Sequence, residues 1–247
     1  MTMNKVKKPN ALILFFLLGI IFTMNAKAEK MDDSPSSNVA WDAAAINFVK
    51  AGNVTKGEEL NKTLTCSVCH GEKGISAARN WPNLAGQNPF YIYKQLLDYK
   101  DNKGSEGESA QLMSSLSASL SKQDMADLAQ YYAQFPLPKP SSSSAQELVD
   151  AGATKAIKKL VSKGDGKRMI ASCAACHGHK GEGEKVDIPA LAGQQAVYSR
   201  NAMQEFKTGL RHNDIYSRMR LIAKSLTDDE INALAQYYAE MGSDKPQ

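Results

Sequence analysis

Cys66-Ser67-Val68-Cys69-His70-Gly71 is written twice in this chain, returning 107 residues later as Cys173-Ala174-Ala175-Cys176-His177-Gly178. Outward from it, Pro82-Asn83-Leu84-Ala85-Gly86-Gln87 returns at the same offset as Pro189-Ala190-Leu191-Ala192-Gly193-Gln194. Leu128-Ala129-Gln130-Tyr131-Tyr132-Ala133 returns unchanged as Leu234-Ala235-Gln236-Tyr237-Tyr238-Ala239, at an offset of 106, so one residue was gained or lost between the later blocks. Three blocks that keep their order and spacing mark a duplication, which sets the domain count. Between the copies, Pro136-Leu137-Pro138-Lys139-Pro140 followed by Ser141–Ser144 reads as a linker. The expected organisation is a leader over 1–28, an N-terminal extension over 29–55 and a first domain over 56–135. A linker with an extra helix over 136–163 and a second domain over 164–247 complete it. Domains this small bury a limited core, and a large buried cofactor would help them fold.

Each copy reads as helical. Ser121-x-x-Asp124 and Thr227-x-x-Glu230 are capping boxes in outline, with Asp in place of Glu in the first. Behind them Met125, Leu128 and Tyr132, and again Ile231, Leu234 and Tyr238, fall at helical spacing. Residues 90–100 and 197–207 form a second amphipathic pattern in each copy, and 41–49 and 145–160 are candidate extra helices. No stretch alternates as a strand would, so the expected class is all-α.

All four cysteines lie in the two C-x-x-C-H blocks. That motif serves covalent haem attachment: two thiols add to the two vinyl groups of one haem, and the adjacent histidine meets the iron from the same side. Three other chemistries use C-x-x-C. A thioredoxin-like pair needs a βαβ setting. A zinc ribbon typically separates its pairs by about 15–20 residues, whereas 103 intervene here. A local disulfide is open to an exported chain. Histidine after both blocks favours haem, with Cys66, Cys69, Cys173 and Cys176 as attachment points and His70 and His177 on the iron.

The opposite face of each iron needs a partner, and the repeat sorts the ten methionines. Met113 pairs with Met219, whereas Met125 pairs with Ile231, Met203 with Leu96 and Met169 with Lys62. Only Met113 and Met219 are methionine in both copies. Both precede the capped last helix by seven to eight residues, on a segment expected to be free to fold over a haem. A thioether is a soft neutral donor that favours ferrous iron, raises the potential and fills the coordination sphere. His/Met ligation therefore suits outer-sphere electron transfer over bond-making chemistry. Pro82 and Pro189 each follow their histidine by 12 residues, where a backbone carbonyl could accept the ring N–H and fix its tautomer. His179 and His212 have no counterpart in the first copy and read as surface histidines.

The N-terminus has a basic start, a 14-residue apolar run over 11–24 and then Ala26-Lys27-Ala28. That is the order of a cleaved secretory signal, with cleavage expected after Ala28; a spanning helix needs about 20 residues. The chain carries 30 Lys plus Arg and 26 Asp plus Glu, and the leader holds four of the lysines and no acid. The remainder is balanced, which argues against a nucleic-acid binder relying on a positive patch. Residues 29–140 carry 11 basic and 13 acidic residues, and 141–247 carry 15 and 13. This dipole is expected to orient the protein between redox partners.

The ordered set resembles the cytochrome c4 family of dihaem class I c-type cytochromes: two C-x-x-C-H-G sites, two P-x-L-A-G-Q blocks, and two Met-bearing segments leading into L-A-Q-Y-Y-A. The resemblance covers residues 57–135 and 164–240. It implies two tandem cytochrome c-like helical domains, each built around a covalently bound haem c with His/Met axial ligands. It further implies a monomeric bacterial periplasmic electron carrier, loosely associated with the membrane, between a respiratory donor such as a bc1-type complex and a haem–copper terminal oxidase. The competing readings are the cytochrome subunit of a larger dehydrogenase, for example a flavoprotein oxidising reduced sulfur, and a dihaem peroxidase. The chain departs from the family in a longer stretch before Cys66 and a longer linker. Arg211, in Phe206-Lys207-x-Gly209-x-Arg211, has no arginine counterpart in the first copy, which bears on the partner surface.

Overall fold

The structure is a computed structural model and describes residues 41–103, 108–139, 151–183 and 186–241. The leader, residues 29–40 and the serine stretch of the linker lie outside them. Among the described residues the chain is helical with no strand, and Asp165 and Ile170 form an isolated β-bridge.

The first half contains α1 (Ala43–Lys50), α2 (Val54–Thr63), α3 (Cys66–His70), α4 (Pro89–Lys100), α5 (Glu108–Ser117) and α6 (Lys122–Ala133). The second contains α7 (Ala151–Lys163), α8 (Ala174–His177), α9 (Ala196–Thr208), α10 (Arg218–Ser225) and α11 (Asp228–Ala239). α3, α4, α5 and α6 have their counterparts in α8, α9, α10 and α11, as the sequence duplication requires. Both capping boxes form: the Ser121 and Thr227 hydroxyls accept from the N–H of Asp124 and Glu230, whose carboxylates accept in return from the cap N–H. The expected extra helices are present as α1 and α7; residues 145–150 of the second lie outside the described residues.

Each half has its own core. In the first, α2 and α4 pack on α6 around Met125, Leu128 and Tyr132. Asn53 caps α2 and its N–H donates to the Asp127 carboxylate of α6 at 2.7 Å. Gly57 lets the two backbones touch, since a Cβ there would lie 2.2 Å from the Asp127 carbonyl oxygen. The extension contributes α1, which packs on α4 and α6 and brings Trp41 edge-on to Phe90 with centroids 5.4 Å apart. In the second half Ile157, Leu160 and Val161 of α7 join Ile231, Leu234 and Tyr238 of α11. Met125 and Ile231, equivalent in the repeat, are both fully buried.

The methionine-bearing segments are not open loops. Met113 lies within α5, which packs on α4, and Met219 lies within α10, which packs on α9. The reason is compositional: 111–117 and 218–225 contain neither glycine nor proline, so nothing interrupts helical hydrogen bonding.

Candidate haem sites and the seam between the halves

One helical turn carries the attachment chemistry in each half. Cys66, Cys69 and His70 share α3; Cys173 precedes α8, which carries Cys176 and His177. All four thiols are free and half-buried, so neither pair is closed as a disulfide. Among the described residues no group of three or more His, Cys, Asp or Glu is placed to hold a metal ion, and the two pairs do not converge as a zinc ribbon would. Burial pushes the Cys66 and Cys173 thiols up from their ordinary values.

Both histidines are buried and held in the same way. His70 Nδ1 lies 3.0 Å from the Pro82 carbonyl oxygen, and His177 Nδ1 lies 2.9 Å from that of Pro189. A carbonyl can only accept, so Nδ1 carries the proton and Nε2 keeps its lone pair. Burial lowers both ring pKa values, against the opposing pull of the carbonyl. Two free thiols and a neutral, oriented imidazole are the donor set that covalent haem attachment requires, and each half supplies one set.

The structure does not bring the methionines onto the cysteine-bearing turns: Met113 lies on α5 and Met219 on α10. Met113 and Met219 are both half-buried. Their surroundings differ. Met219 stands between Arg218, paired with Asp187 at 2.9 Å, and Arg220, whose Nε meets the Asp214 carboxylate at 2.7 Å. The Asp214–Arg220 pair is buried and spans Tyr216 and Ser217, two non-glycine residues at φ 57° and 56°. Met113 stands between Leu112 and Ser114.

The P-x-L-A-G-Q blocks do more than supply a proline carbonyl: they join the halves. Gln87 Oε1 accepts from the Ala190 N–H at 2.7 Å while its Nε2 donates to the Ala190 carbonyl at 3.0 Å. Gln194 treats Asn83 likewise, at 2.8 and 2.9 Å. The sixth residue of each block thus brackets the second residue of the other, the reciprocal pattern of a two-fold interface. Leu137 and Pro138, at the start of the linker, lie against this seam. Gly193, at φ 70°, lies so close that a Cβ would sit 2.3 Å from the Pro138 carbonyl oxygen. These seam residues were visible in the sequence as an unexplained repeat; their role was not.

The seam continues along α4. Arg211 is buried and not part of the outer surface, which corrects the expectation that it bears on partner binding. Its guanidinium donates to Tyr91 Oη at 2.9 Å and Gln95 Oε1 at 3.1 Å across the seam, and lies 4.7 Å from the centroid of the Phe206 ring. Burial pushes the nearby Tyr99 and Tyr198 up to about 12. Lys94 Nζ, buried beside Asp98 at 2.5 Å, donates to the Asn213 carbonyl at 2.6 Å. His179 is exposed and His212 half-buried.

Comparison with known proteins agrees with this architecture. The cytochrome c family profile matches residues 54–135 and 164–241, one match per half. A cytochrome c4 from Thiocapsa roseopersicina is 36% identical over 70% of this chain and 84% of its own length. A thiosulfate dehydrogenase electron acceptor from Stutzerimonas stutzeri is 32% identical over 76% of this chain and 84% of its own. The crystal structure of reduced cytochrome c4 from Pseudomonas stutzeri superposes with a TM-score of 0.65 at 30% identity, covering 76% of this chain and 98% of that one. Two attachment sets of matched geometry, in two halves that each match the same profile, place the chain in the cytochrome c family as a two-domain cytochrome c4 that binds two haem c groups covalently.

Proposed function

We propose that this protein is a periplasmic dihaem carrier that passes electrons from a respiratory donor to a terminal oxidase. Electron transfer itself follows from the family. Cys66 and Cys69 would hold one haem and Cys173 and Cys176 the other. His70 with Met113, and His177 with Met219, would supply the axial ligands. When bound, each haem supplies a one-electron ferric/ferrous couple. The protein's part is to hold each imidazole through its proline carbonyl, keep it neutral by burial, and exclude water from the site. The observation that carries this reading is the duplicated His–Pro geometry, which prepares two equivalent sites for fixed ligation. Residues 1–28 would be removed on export. Among the described residues no helix is long and apolar enough to cross a membrane.

The test is exogenous-ligand binding to the haem-loaded protein. Slow, weak binding of cyanide to the ferric form and carbon monoxide to the ferrous form is expected at both haems. Rapid binding at one of them would favour a dihaem peroxidase. A second reading, acceptor subunit of a thiosulfate-oxidising dehydrogenase, is favoured by the 32% identical relative of that description. Stoichiometric co-purification with a catalytic subunit would establish it in place of the oxidase route.

A further inference from the structure

Each histidine is connected to the opposite half through one peptide group. The Pro82–Asn83 peptide gives its carbonyl to His70 Nδ1 at 3.0 Å and its N–H to Gln194 Oε1 at 2.8 Å. The Pro189–Ala190 peptide gives its carbonyl to His177 Nδ1 at 2.9 Å and its N–H to Gln87 Oε1 at 2.7 Å. Both glutamines are buried, at 5% and 7% exposure, so no bulk water competes for these bonds. Each glutamine is also fixed in orientation. Its Nε2 donates to the carbonyl of the bracketed residue, which leaves Oε1 facing the N–H.

A peptide is a polarisable unit. An acceptor drawing on its N–H shifts electron density to its carbonyl oxygen, and hydrogen bonds in series strengthen one another. A stronger carbonyl acceptor draws the Nδ1 proton further from the imidazole. The ring becomes a more basic ligand, which favours ferric over ferrous iron. The tuning is therefore crossed.

We infer that Gln194, from the second domain, lowers the reduction potential of the first-domain haem, and that Gln87, from the first, lowers that of the second. Both are positioning residues: neither touches an iron ligand, and each acts through a proline carbonyl. The inference rests on His70 and His177 being the iron ligands. Separation of the halves at the seam would raise both potentials together, which ties domain docking to redox poise.

The experiment compares Gln194→Leu and Gln87→Leu in the full haem-loaded chain. Each haem is titrated separately through its own haem-methyl NMR signals, assigned with Met113→Ala and Met219→Ala. At fixed applied potential, Gln194→Leu should raise the ferrous-to-ferric ratio of the first haem about threefold, which is about 30 mV at 59 mV per tenfold, and move the second haem much less. Gln87→Leu should do the reverse. The His Nδ1 proton resonance of the reduced protein should shift upfield in the same crossed order, a readout independent of potential. Gln194→Glu keeps an acceptor facing the Asn83 N–H and should not raise the first haem. Gln195→Ala removes another bond across the seam, Nε2 to the Ser76 carbonyl at 3.0 Å, but touches neither histidine-bearing peptide; it should leave both haems in place. Equal shifts at both haems, a shift confined to the haem on the mutated side, no shift, or the same shifts in Gln195→Ala would overturn the inference. Absence of histidine ligation in the unaltered protein would instead overturn the site assignment on which it rests.

Discussion

Replacing Asp214 by leucine removes the carboxylate that holds Arg220 beside Met219. Both side chains are buried, at 4% and 3% exposure, and the carboxylate also accepts the Arg220 backbone N–H at 2.9 Å. The pair closes a loop containing two left-handed non-glycine residues, each costing about 1–3 kcal/mol. The substitution takes the Asp214 carboxylate away from a buried guanidinium that also donates to the Ser217 hydroxyl at 2.8 Å. Breaking a buried pair in this way costs about 3–5 kcal/mol, a large share of the roughly 5–15 kcal/mol that stabilises a domain. With an m-value of about 3 kcal/mol/M in guanidinium chloride, the midpoint should fall by roughly 1 M. The assay is guanidinium unfolding of the oxidised haem-loaded protein, followed by far-ultraviolet circular dichroism and by the near-infrared band of Met–Fe(III). The second-domain transition should move and the first-domain transition should not, because Leu112 and Ser114 form no such pair around Met113. Asp214→Leu with Arg220→Leu removes both charges and should cost clearly less than Asp214→Leu alone. A single-variant loss below about 1 kcal/mol, or a double variant worse than the single, would refute the reasoning.

Other outcomes follow from local geometry. Gly57→Ala should destabilise the first domain by about 1–3 kcal/mol, read as a lower Tm, because its Cβ would meet the Asp127 carbonyl at 2.2 Å. The Arg168 guanidinium hydrogen-bonded to Glu230 holds that carboxylate below its ordinary value of 4.5. The folded state therefore binds fewer protons there, and the stability it contributes is present above pH 4.5 and lost as pH falls through the lower folded value. Glu230→Gln should flatten the acid side of the stability profile below pH 4.5. Lys158 and Lys159 are exposed on α7, and Lys158→Glu with Lys159→Glu should reduce the salt dependence of electron transfer to an anionic oxidant such as hexacyanoferrate(III); an unchanged salt slope would contradict a role for these charges in steering.

Much of the fold was legible because the chain repeats itself. Ser121, Thr227 and the Met125/Ile231 pair located the last helix of each half from local chemistry alone. The His–Pro bond was legible because the same 12-residue spacing occurs twice. The helical state of Met113 and Met219 was legible only in the absence of glycine and proline from 111–117 and 218–225, not in the expectation of a segment free to fold over a haem. The seam was not legible. Gln87 and Gln194 contact residues more than 100 positions away, and nothing in a local pattern says which peptide a glutamine will bracket. The burial of Arg211 was not legible for the same reason, since its partners Tyr91 and Gln95 belong to the other half.

The most direct test is haem stoichiometry combined with ligand assignment on exported protein: iron and haem per chain, a redox titration, and the near-infrared Met–Fe(III) band in the unaltered chain, Met113→Ala and Met219→Ala. Two covalently held haems per chain are expected, both at positive potential, with each substitution removing half of the band. One haem per chain, a band untouched by either substitution, or one low-potential haem that takes up exogenous ligands would contradict a dihaem carrier with two closed His/Met sites.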